Sequence, residues 1–248
     1  MKINYIHHSS FLVELETMTL LFDYTQGALP EIKKDKPLLV FASHRHGDHY
    51  SDKVLDFIKE YENIRFIFSD DIWRSRLPEE CLKDITSMKP GEELGFQFAD
   101  GKITEQSSDG GKSDVKVLTY CSTDEGVAFL VKAEGKVIYH AGDLNNWYWE
   151  GEPGDWNETM AKRYTLEVDK MEGMSIDAAF LPLDPRQEKA FYLGFDEFMK
   201  KTQVSHAFPM HCWGDFSVIK RLIDMEVSGP YRDRIVQIQE DGESFFIG

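Results

Sequence analysis

The sequence predicts an α/β or α+β fold, because short apolar strands fill its first half and strands alternate with helices in its second half. Residues 11–16 and 19–24 predict a β-hairpin. Residues 37–43 and 64–70 predict two buried strands with one helix between them.

The rest of the chain continues this pattern. The middle contains four short strand patterns, ITEQSS, VKVLTY, VAFLVKA and KVIYHAG. The second half has three helical patterns and four strand patterns. The helices are expected at 157–171, 187–201 and 215–226, and the strands at 176–183, 204–210, 234–239 and 244–247. Such alternation favours sheets covered by helices.

Length and composition indicate one domain over 1–248, since 248 residues with 42% hydrophobic content suffice for one sizeable core. There is no linker-like stretch. The first residues lack the apolar core of a signal peptide, and no run is long enough to cross a membrane, so the cytoplasm is the expected location. Cys81, Cys121 and Cys212 do not suggest a disulfide framework, and reduced thiols are expected.

The net charge bears on the partners of the chain. The 44 acidic residues exceed the 28 basic ones, which gives a net charge of −16. A chain this acidic repels phosphate backbones over long range, so nucleic acid is not the expected partner. A small-molecule substrate is expected instead, because the chain has room for little beyond one core fold.

A dense cluster of metal-binding residue types lies between His44 and His49, where three of the eight histidines and one aspartate occur. The cluster follows the predicted strand 37–43. Side chains two apart on an extended backbone share one face, so His44 and His46 are predicted to converge on one ion. Neutral imidazole and carboxylate both suit zinc, manganese and iron.

The second half of this cluster is predicted to form a second position. Gly47 is expected to adopt a turn conformation that other residues cannot adopt, which would let Asp48 and His49 fold back toward a second metal position nearby. The alternative is a polar cap on the strand, with histidines bonded to backbone groups and Asp48 or Ser51 capping the next helix.

The pattern HxHxDH resembles the signature of the metallo-beta-lactamase fold superfamily. It is filled by His44, His46, Asp48 and His49. Two later segments resemble further parts of that family's site. HAGD at 140–143 resembles the family segment whose aspartate bridges two metals, which implies that role for Asp143. PMHCWG at 209–214 resembles the segment with the family's final metal-binding histidine, which implies that role for His211. The resemblance implies a four-layer αββα sandwich with one or two divalent ions, zinc, manganese or iron, at one edge.

The opening segment INYIHHSSFLVE is similar to the start of a branch that includes L-ascorbate-6-phosphate lactonase. In that branch a histidine before a small residue and Ser-Phe lies near the pocket. His8 is the matching position, so the resemblance implies that His8 binds substrate.

One family histidine is missing between the first motif and Asp143. The corresponding stretch, residues 121–131, reads CSTDEGVAFLV. Asp124 is the best replacement ligand, because an ionised carboxylate binds divalent cations directly, and Glu125 follows closely. A plain polar turn is an equal alternative. An oxygen ligand here would shift preference from zinc toward manganese or iron.

Two further residues are candidates for substrate binding. Trp147 lies in the aromatic loop 145–156, which would shape a substrate pocket or a contact between two copies of the chain; plain packing is the alternative. Arg186 follows the predicted strand 176–183, where its guanidinium would clamp a phosphate or carboxylate. A surface pair with Asp184 is its alternative role.

The sequence thus predicts a metal-dependent hydrolase that opens a lactone or cleaves an ester or a phosphodiester through a metal-bound hydroxide. Asp48 would orient the hydroxide while binding one ion. Three alternatives stay open: a nuclease of the same superfamily, a flavin-dependent di-iron protein, against which His46 counts, and a metal sensor or binding module with a degenerate site.

Overall fold

Two β-sheets packed face to face form the centre of the fold. The computed structural model describes residues 1–99, 101–106 and 113–248. Their strands form two mixed sheets of seven strands each. In spatial order, the first sheet contains β14 (Ser244–Phe246), β1 (Lys2–His7), β2 (Ser10–Glu14), β3 (Thr19–Phe22), β4 (Leu38–Ala42), β5 (Ile64–Ser69) and β6 (Ile85–Met88). The second contains β13 (Gln203–Met210), β12 (Ser175–Pro182), β11 (Lys136–His140), β10 (Val127–Ala133), β9 (Val115–Cys121), β7 (Glu93–Ala99) and β8 (Lys102–Gln106).

Helices connect these strands. The α-helices of the described residues are α1 (Gly154–Asp169), α2 (Leu193–Lys201) and α3 (Ser217–Asp224). The 3₁₀ helices cover Asp52–Lys59, Arg74–Arg76, Glu79–Asp84, Pro185–Gln187, Glu226–Ser228 and Arg232–Arg234.

The packing confirms the predicted four layers. Between the sheets, Phe11 of β2 stacks on Phe180 of β12 with ring centroids 4.1 Å apart. Outside the second sheet, Tyr139 of β11 stacks on Phe198 of α2 at 4.7 Å. Outside the first sheet, a second apolar cluster joins Val54, in the 3₁₀ helix Asp52–Lys59, to the strands. Each sheet therefore buries both faces, which explains why so many strands are apolar on consecutive residues.

Several predicted elements differ from the structure. The predicted strand 234–239 is absent: the chain there makes a single bridge, from Ile235 to Ala207 on β13. Its apolar side chains are buried without ladder hydrogen bonds. The predicted helix 187–201 begins only at Leu193, because Glu188 adopts a left-handed φ of +54° that ends the preceding 3₁₀ helix. The helix predicted after the histidine cluster is a 3₁₀ helix.

The sequence patterns also missed three strands, β1, β6 and β7. Of the predicted strand ITEQSS, Ile103–Gln106 lies in β8, and Ser107 and Ser108 lie outside the described residues. The other predicted strands and helices are present with shifted ends.

Among the described residues, no helix has both the length and the apolar character needed to span a membrane.

Candidate metal centre

Eight His and Asp side chains meet at one edge of the sandwich, in two groups of four. The buried group consists of His8, Asp48, His49 and His211, and the outer group of His44, His46, Asp124 and Asp143. Within each group, one ligand-type atom per residue lies within 4.8 Å of the others. These residues come from the loops after β1, β4, β9, β11 and β13, whose ends lie at this edge.

The buried group surrounds Asp48. The Nε2 atom of His8 lies 3.4 Å from Asp48 Oδ2, and the Nε2 atoms of His211 and His49 lie 3.8 Å and 3.9 Å from the same oxygen. All three imidazoles are buried, whereas Asp48 is partly exposed. Three nitrogens and one oxygen at such spacing match the composition of a four-coordinate zinc site.

The outer group is more open. The Nδ1 atom of His46 lies 3.5 Å from Asp124 Oδ2, and His44 Nε2 lies 3.7 Å from Asp143 Oδ2. His44 and Asp143 are buried, but the side chains of His46 and Asp124 are 44% and 45% exposed. Two nitrogens and two oxygens make this a harder ligand set.

Asp143 lies between the two groups. Its Oδ1 atom is 3.2 Å from His49 Nε2 and 3.5 Å from His211 Nε2, while its Oδ2 faces His44. Burial alone would raise the pKa of this carboxyl, but the surrounding histidines hold it well below its ordinary value. Asp143 therefore presents an ionised oxygen to each group, as the resemblance implied for a bridging ligand.

Five buried atoms of these groups have no hydrogen-bond partner among the described residues. They are the Nε2 atoms of His8, His44, His49 and His211, and Oδ1 of Asp143. Buried polar atoms without partners are costly, and five that face one another indicate a common ligand. Burial also lowers the pKa of His44 to about 4, which keeps this imidazole in the neutral form that binds metals. The donor set therefore fits divalent cations.

Two buried carboxylates orient these imidazoles from behind, and the sequence patterns did not identify either. Asp23 accepts a hydrogen bond from His49 Nδ1 at 2.7 Å and from the Ser43 hydroxyl at 2.6 Å. Asp184 accepts one from His211 Nδ1 at 3.0 Å. Each bond fixes the tautomer that leaves Nε2 free for a metal. Both aspartates directly follow strand-end segments at this edge, and that position was the signal available in the sequence.

A close approach of two glycines to Ser43 brings the distant segments together. Gly126 has a φ of +71°, and a Cβ there would lie 2.0 Å from the Ser43 carbonyl oxygen. Gly142 has a φ of +51°, and a Cβ there would lie 2.7 Å from Ser43 Cβ. Only glycine fits at both positions. As a result, the loops carrying Asp124 and Asp143 lie against the start of the histidine motif.

The conformation of the motif differs from the predicted one in two details. The strand ends at Ala42, so His44 and His46 lie on a bent segment and not on an extended one, although their rings still lie 4.7 Å apart. Gly47 does not adopt a positive φ. Instead, a turn closes through hydrogen bonds from the amides of His49 and Tyr50 to the His46 carbonyl, at 2.9 and 2.8 Å.

The position of the missing histidine holds two carboxylates close to His46. Asp124 faces Nδ1 of that ring, and Glu125 Oε2 lies 3.5 Å from Nε2. Glu125 is also bound by the Arg45 guanidinium at 2.5 Å. Of these two carboxylates, it is Asp124 that belongs to the outer group, which also contains Asp143. The geometry therefore favours Asp124 over Glu125 as the ligand-type residue.

The three residues predicted to bind substrate lie within or beside the two groups. His8 lies within the buried group, which favours a ligand role over substrate contact. Trp147 is buried, and its indole Nε1 donates to the Asp143 carbonyl at 2.8 Å. Arg186 pairs with Asp184 through Nε at 3.0 Å to both oxygens, as its alternative role predicted, while its side chain also lines a cavity beside the site.

Comparison with known proteins agrees with this geometry. The family described as the beta-lactamase superfamily domain matches residues 2–149. The chain belongs to this superfamily. Among curated relatives, a UPF0173 metal-dependent hydrolase of Geobacillus thermodenitrificans is 31% identical over 151 residues, covering 58% of this chain and 63% of the relative. One of Carboxydothermus hydrogenoformans is 29% identical over 154 residues, covering 60% and 64%. The matched stretch thus spans less than two thirds of these relatives.

Solved structures show the same fold over the whole chain. Igni18, a metallo hydrolase from Ignicoccus hospitalis, aligns with a TM-score of 0.60 at 16% identity, covering 100% of this chain and 99% of that one. The metallo-beta-lactamase fold protein YhfI from Bacillus subtilis aligns with a TM-score of 0.61 at 13% identity, covering 99% of each chain. At such identities, the likeness concerns the fold alone.

Proposed function

We propose that the protein is a metal-dependent hydrolase acting on a small-molecule ester, lactone or phosphodiester. The observation that carries this proposal is that five buried nitrogen and oxygen atoms of the two groups, without hydrogen-bond partners among the described residues, lie together at one edge of the sandwich. The names of the curated relatives, which are metal-dependent hydrolases, support it.

The two groups would hold one ion each, with Asp143 contributing to both. The nitrogen-rich buried group suits zinc, whereas the outer group, with two carboxylates, suits manganese or iron as well. Ions bound there would act as Lewis acids that lower the pKa of a water molecule and take up negative charge.

The residues of the chain have separate tasks in such a reaction. Asp48 is the partly exposed member of the buried group, and its pKa is lowered, chiefly by the His8 imidazole 3.4 Å away. As an ionised carboxylate it would orient a water molecule and accept a proton from it. Asp23 and Asp184 hold His49 and His211 in place behind the site.

The surroundings of Asp48 support a small substrate. Two cavities, of about 680 Å³ and about 300 Å³, open on either side and both include Asp48. Their sizes fall within the range of small-molecule sites, or close to its lower end. In an ester, attack by water oxygen on the carbonyl carbon would break the acyl–oxygen bond and give a carboxylic acid and an alcohol. We also propose a cytoplasmic location, which the free thiols of the three cysteines support.

Metal analysis tests the first half of the proposal. Purified protein is stripped with chelator, reloaded with zinc or manganese and passed over a desalting column, and its metal content is measured by mass spectrometry. We expect up to two ions per chain. His206→Gln serves as a control, because this histidine lies in β13 outside both groups. Retention of no ion by the wild-type chain would contradict the proposal.

A substrate panel tests the second half. The reloaded protein is incubated with p-nitrophenyl acetate, a γ-lactone and bis-p-nitrophenyl phosphate, with zinc and with manganese. We expect turnover of at least one substrate that disappears on chelation. Stoichiometric metal binding without any turnover would instead support the metal sensor or binding module.

A further inference from the structure

Four of the five tryptophans of the chain line one cavity of about 300 Å³ beside the candidate metal centre. They are Trp147, Trp149, Trp156 and Trp213, and they come from the loop after β11, from α1 and from the loop after β13. Met160, one turn after Trp156 on α1, completes the apolar wall. Tryptophan is rare in the chain, so its concentration here is specific to this cavity.

The indole rings have a defined orientation toward the candidate metal ligands. Trp147 and Trp149 lie nearly parallel, with ring centroids 6.0 Å apart and planes 5° from parallel. Trp147 contacts His211 at 5.5 Å, and Trp213 stands nearly perpendicular to His211 at the same distance. A group held among these rings would therefore lie directly beside the buried group.

The conformation of Trp213 is strained. Its φ of +53° is uncommon for a bulky residue and carries an energetic cost. A hydrogen bond from its indole Nε1 to Asp184 Oδ2, at 3.2 Å, holds it in place. The side chain nevertheless remains 49% exposed, at the boundary between the two cavities. Strain that keeps a large apolar side chain exposed indicates a binding role.

Among the described residues that line the cavity, Arg186 is the one cation, and its charge is already compensated. Arg186 is paired with the carboxylate of Asp184, and its guanidinium lies 4.2 Å from the centroid of the Trp213 ring. Asp48, Asp124 and Asp143 line the opposite wall. An anionic group would thus find no uncompensated cation among the described residues of the tryptophan side, while an uncharged ring would find apolar faces.

We propose that this cavity binds an uncharged, planar aromatic group of the substrate, next to the bond that is hydrolysed. This inference rests on the proposed hydrolase function and names its substrate class. The size agrees, because a cavity of about 150 Å³ holds benzene, so one ring with a few further atoms fits. Stacking on the indoles favours such a group over a saturated ring by roughly tenfold.

Fluorine NMR tests the binding directly, without turnover. The metal-loaded protein is labelled with 5-fluorotryptophan, which gives five signals that are assigned by single Trp→Leu variants. Benzyl alcohol and cyclohexylmethanol are then titrated separately. We expect benzyl alcohol to shift the four cavity signals and not that of Trp73, and cyclohexylmethanol to shift them far less. Equal shifts with both alcohols, or no shift of the cavity signals, would overturn the inference.

Matched variants sharpen this test. Trp156→Leu removes a partly exposed ring from the cavity wall, and we expect it to weaken benzyl alcohol binding by roughly tenfold. Trp73→Leu removes the fifth tryptophan, which is outside this cavity, and should change nothing. Equal affinity for benzyl alcohol in wild type and Trp156→Leu would contradict the proposed site.

Kinetics separate this inference from the proposed function. Benzyl acetate and cyclohexylmethyl acetate differ mainly in the aromaticity of the alcohol. We expect kcat/KM to favour the benzyl ester by roughly tenfold in the wild type and to fall toward equality in Trp156→Leu. Selective binding of benzyl alcohol without ester turnover would leave the aromatic site standing and contradict ester hydrolysis. Equal turnover of both esters would contradict the aromatic site, whereas the proposed hydrolase function would remain supported.

Discussion

The two groups of the candidate metal centre differ in how firmly their members are held. In the buried group, His49 and His211 each donate to a buried carboxylate, and His8 packs against His211 with ring centroids 4.2 Å apart. In the outer group, His46 and Asp124 are nearly half exposed and lie in turns. His44 is better supported, because its Nδ1 atom lies 3.1 Å from the Ser43 hydroxyl.

This difference predicts unequal metal affinity. Ligands that are already oriented lose little freedom on binding, whereas exposed side chains must be ordered first. We therefore expect the buried group to bind its ion more tightly and the outer group to exchange its ion more readily. The missing family histidine lies in the weaker half, where oxygen replaces nitrogen.

The largest effect is expected from Asp143→Asn, since this carboxylate faces both groups. An amide lacks the charge that two cations need, so metal binding in both groups should weaken together. Turnover should fall by about 10²–10³-fold or more, the scale for loss of one preorganised electrostatic group. Metal content and kcat/KM measure the effect, and Asp177→Asn, at the far end of β12, is the control. Loss of only one ion would show that Asp143 serves one group alone.

Asp124→Asn should affect the outer group only. We expect the weaker of two binding events in a competitive chelator titration to lose about 100-fold in affinity, while the tighter event stays unchanged. Glu125→Gln is the matched comparison, because this carboxylate also faces His46 but is paired with Arg45. A larger effect of Glu125→Gln would transfer the ligand role to Glu125.

Asp184→Asn should have the reverse selectivity. Burial raises the pKa of Asp184, but hydrogen bonds from His211 and Arg186 outweigh this and lower its pKa to about 2, so it is ionised when it orients His211. Losing that charge should weaken the tighter binding event by about 10–100-fold and spare the weaker one. Asp196→Asn, which alters a carboxylate bonded to Tyr231, is the control. An equal loss in both events, together with a lower Tm, would indicate a merely structural role.

The smallest effect is expected from Asp124→His, which restores the histidine of the family pattern. The outer group would then have a third nitrogen, and its preference for zinc over manganese should rise by a few-fold to about tenfold. Competition between the two ions at the weaker site measures this change, with Asp124→Asn as the reference. An unchanged preference would mean that residue 124 does not determine which metal binds there.

The sequence was informative about chemistry wherever the residue types themselves carry it. The spacing from His44 to His49 predicts a metal site, and the resemblance adds Asp143 and His211. The structure brings these residues to one edge, and their ligand roles stay predictions. Prediction was weaker where backbone conformation decided. His8 and His211 both have positive φ values, and their rings lie together. The pattern of side chains along the sequence does not predict these φ values.

The supporting residues show the same limit. Asp23 and Asp184 look like ordinary strand-end aspartates in the sequence, and their importance arises from hydrogen bonds to His49 and His211, which lie 26 and 27 positions away. The predicted strand 234–239 shows a further limit, because Ile235 and Ile238 are buried there although the segment makes only a single bridge, to Ala207.

By itself, then, the sequence determined the fold class and the net negative charge, and it supplied the candidate metal ligands, because periodicity and composition act locally. Tertiary structure alone decided that the eight side chains divide into a buried and an outer group, and that His8 belongs to the first. It also decided that Trp213 shares one cavity with the three tryptophans of residues 147–156. The physical reason is that such convergence depends on how strand ends align across two packed sheets, which hydrophobic burial fixes only when the whole chain has folded.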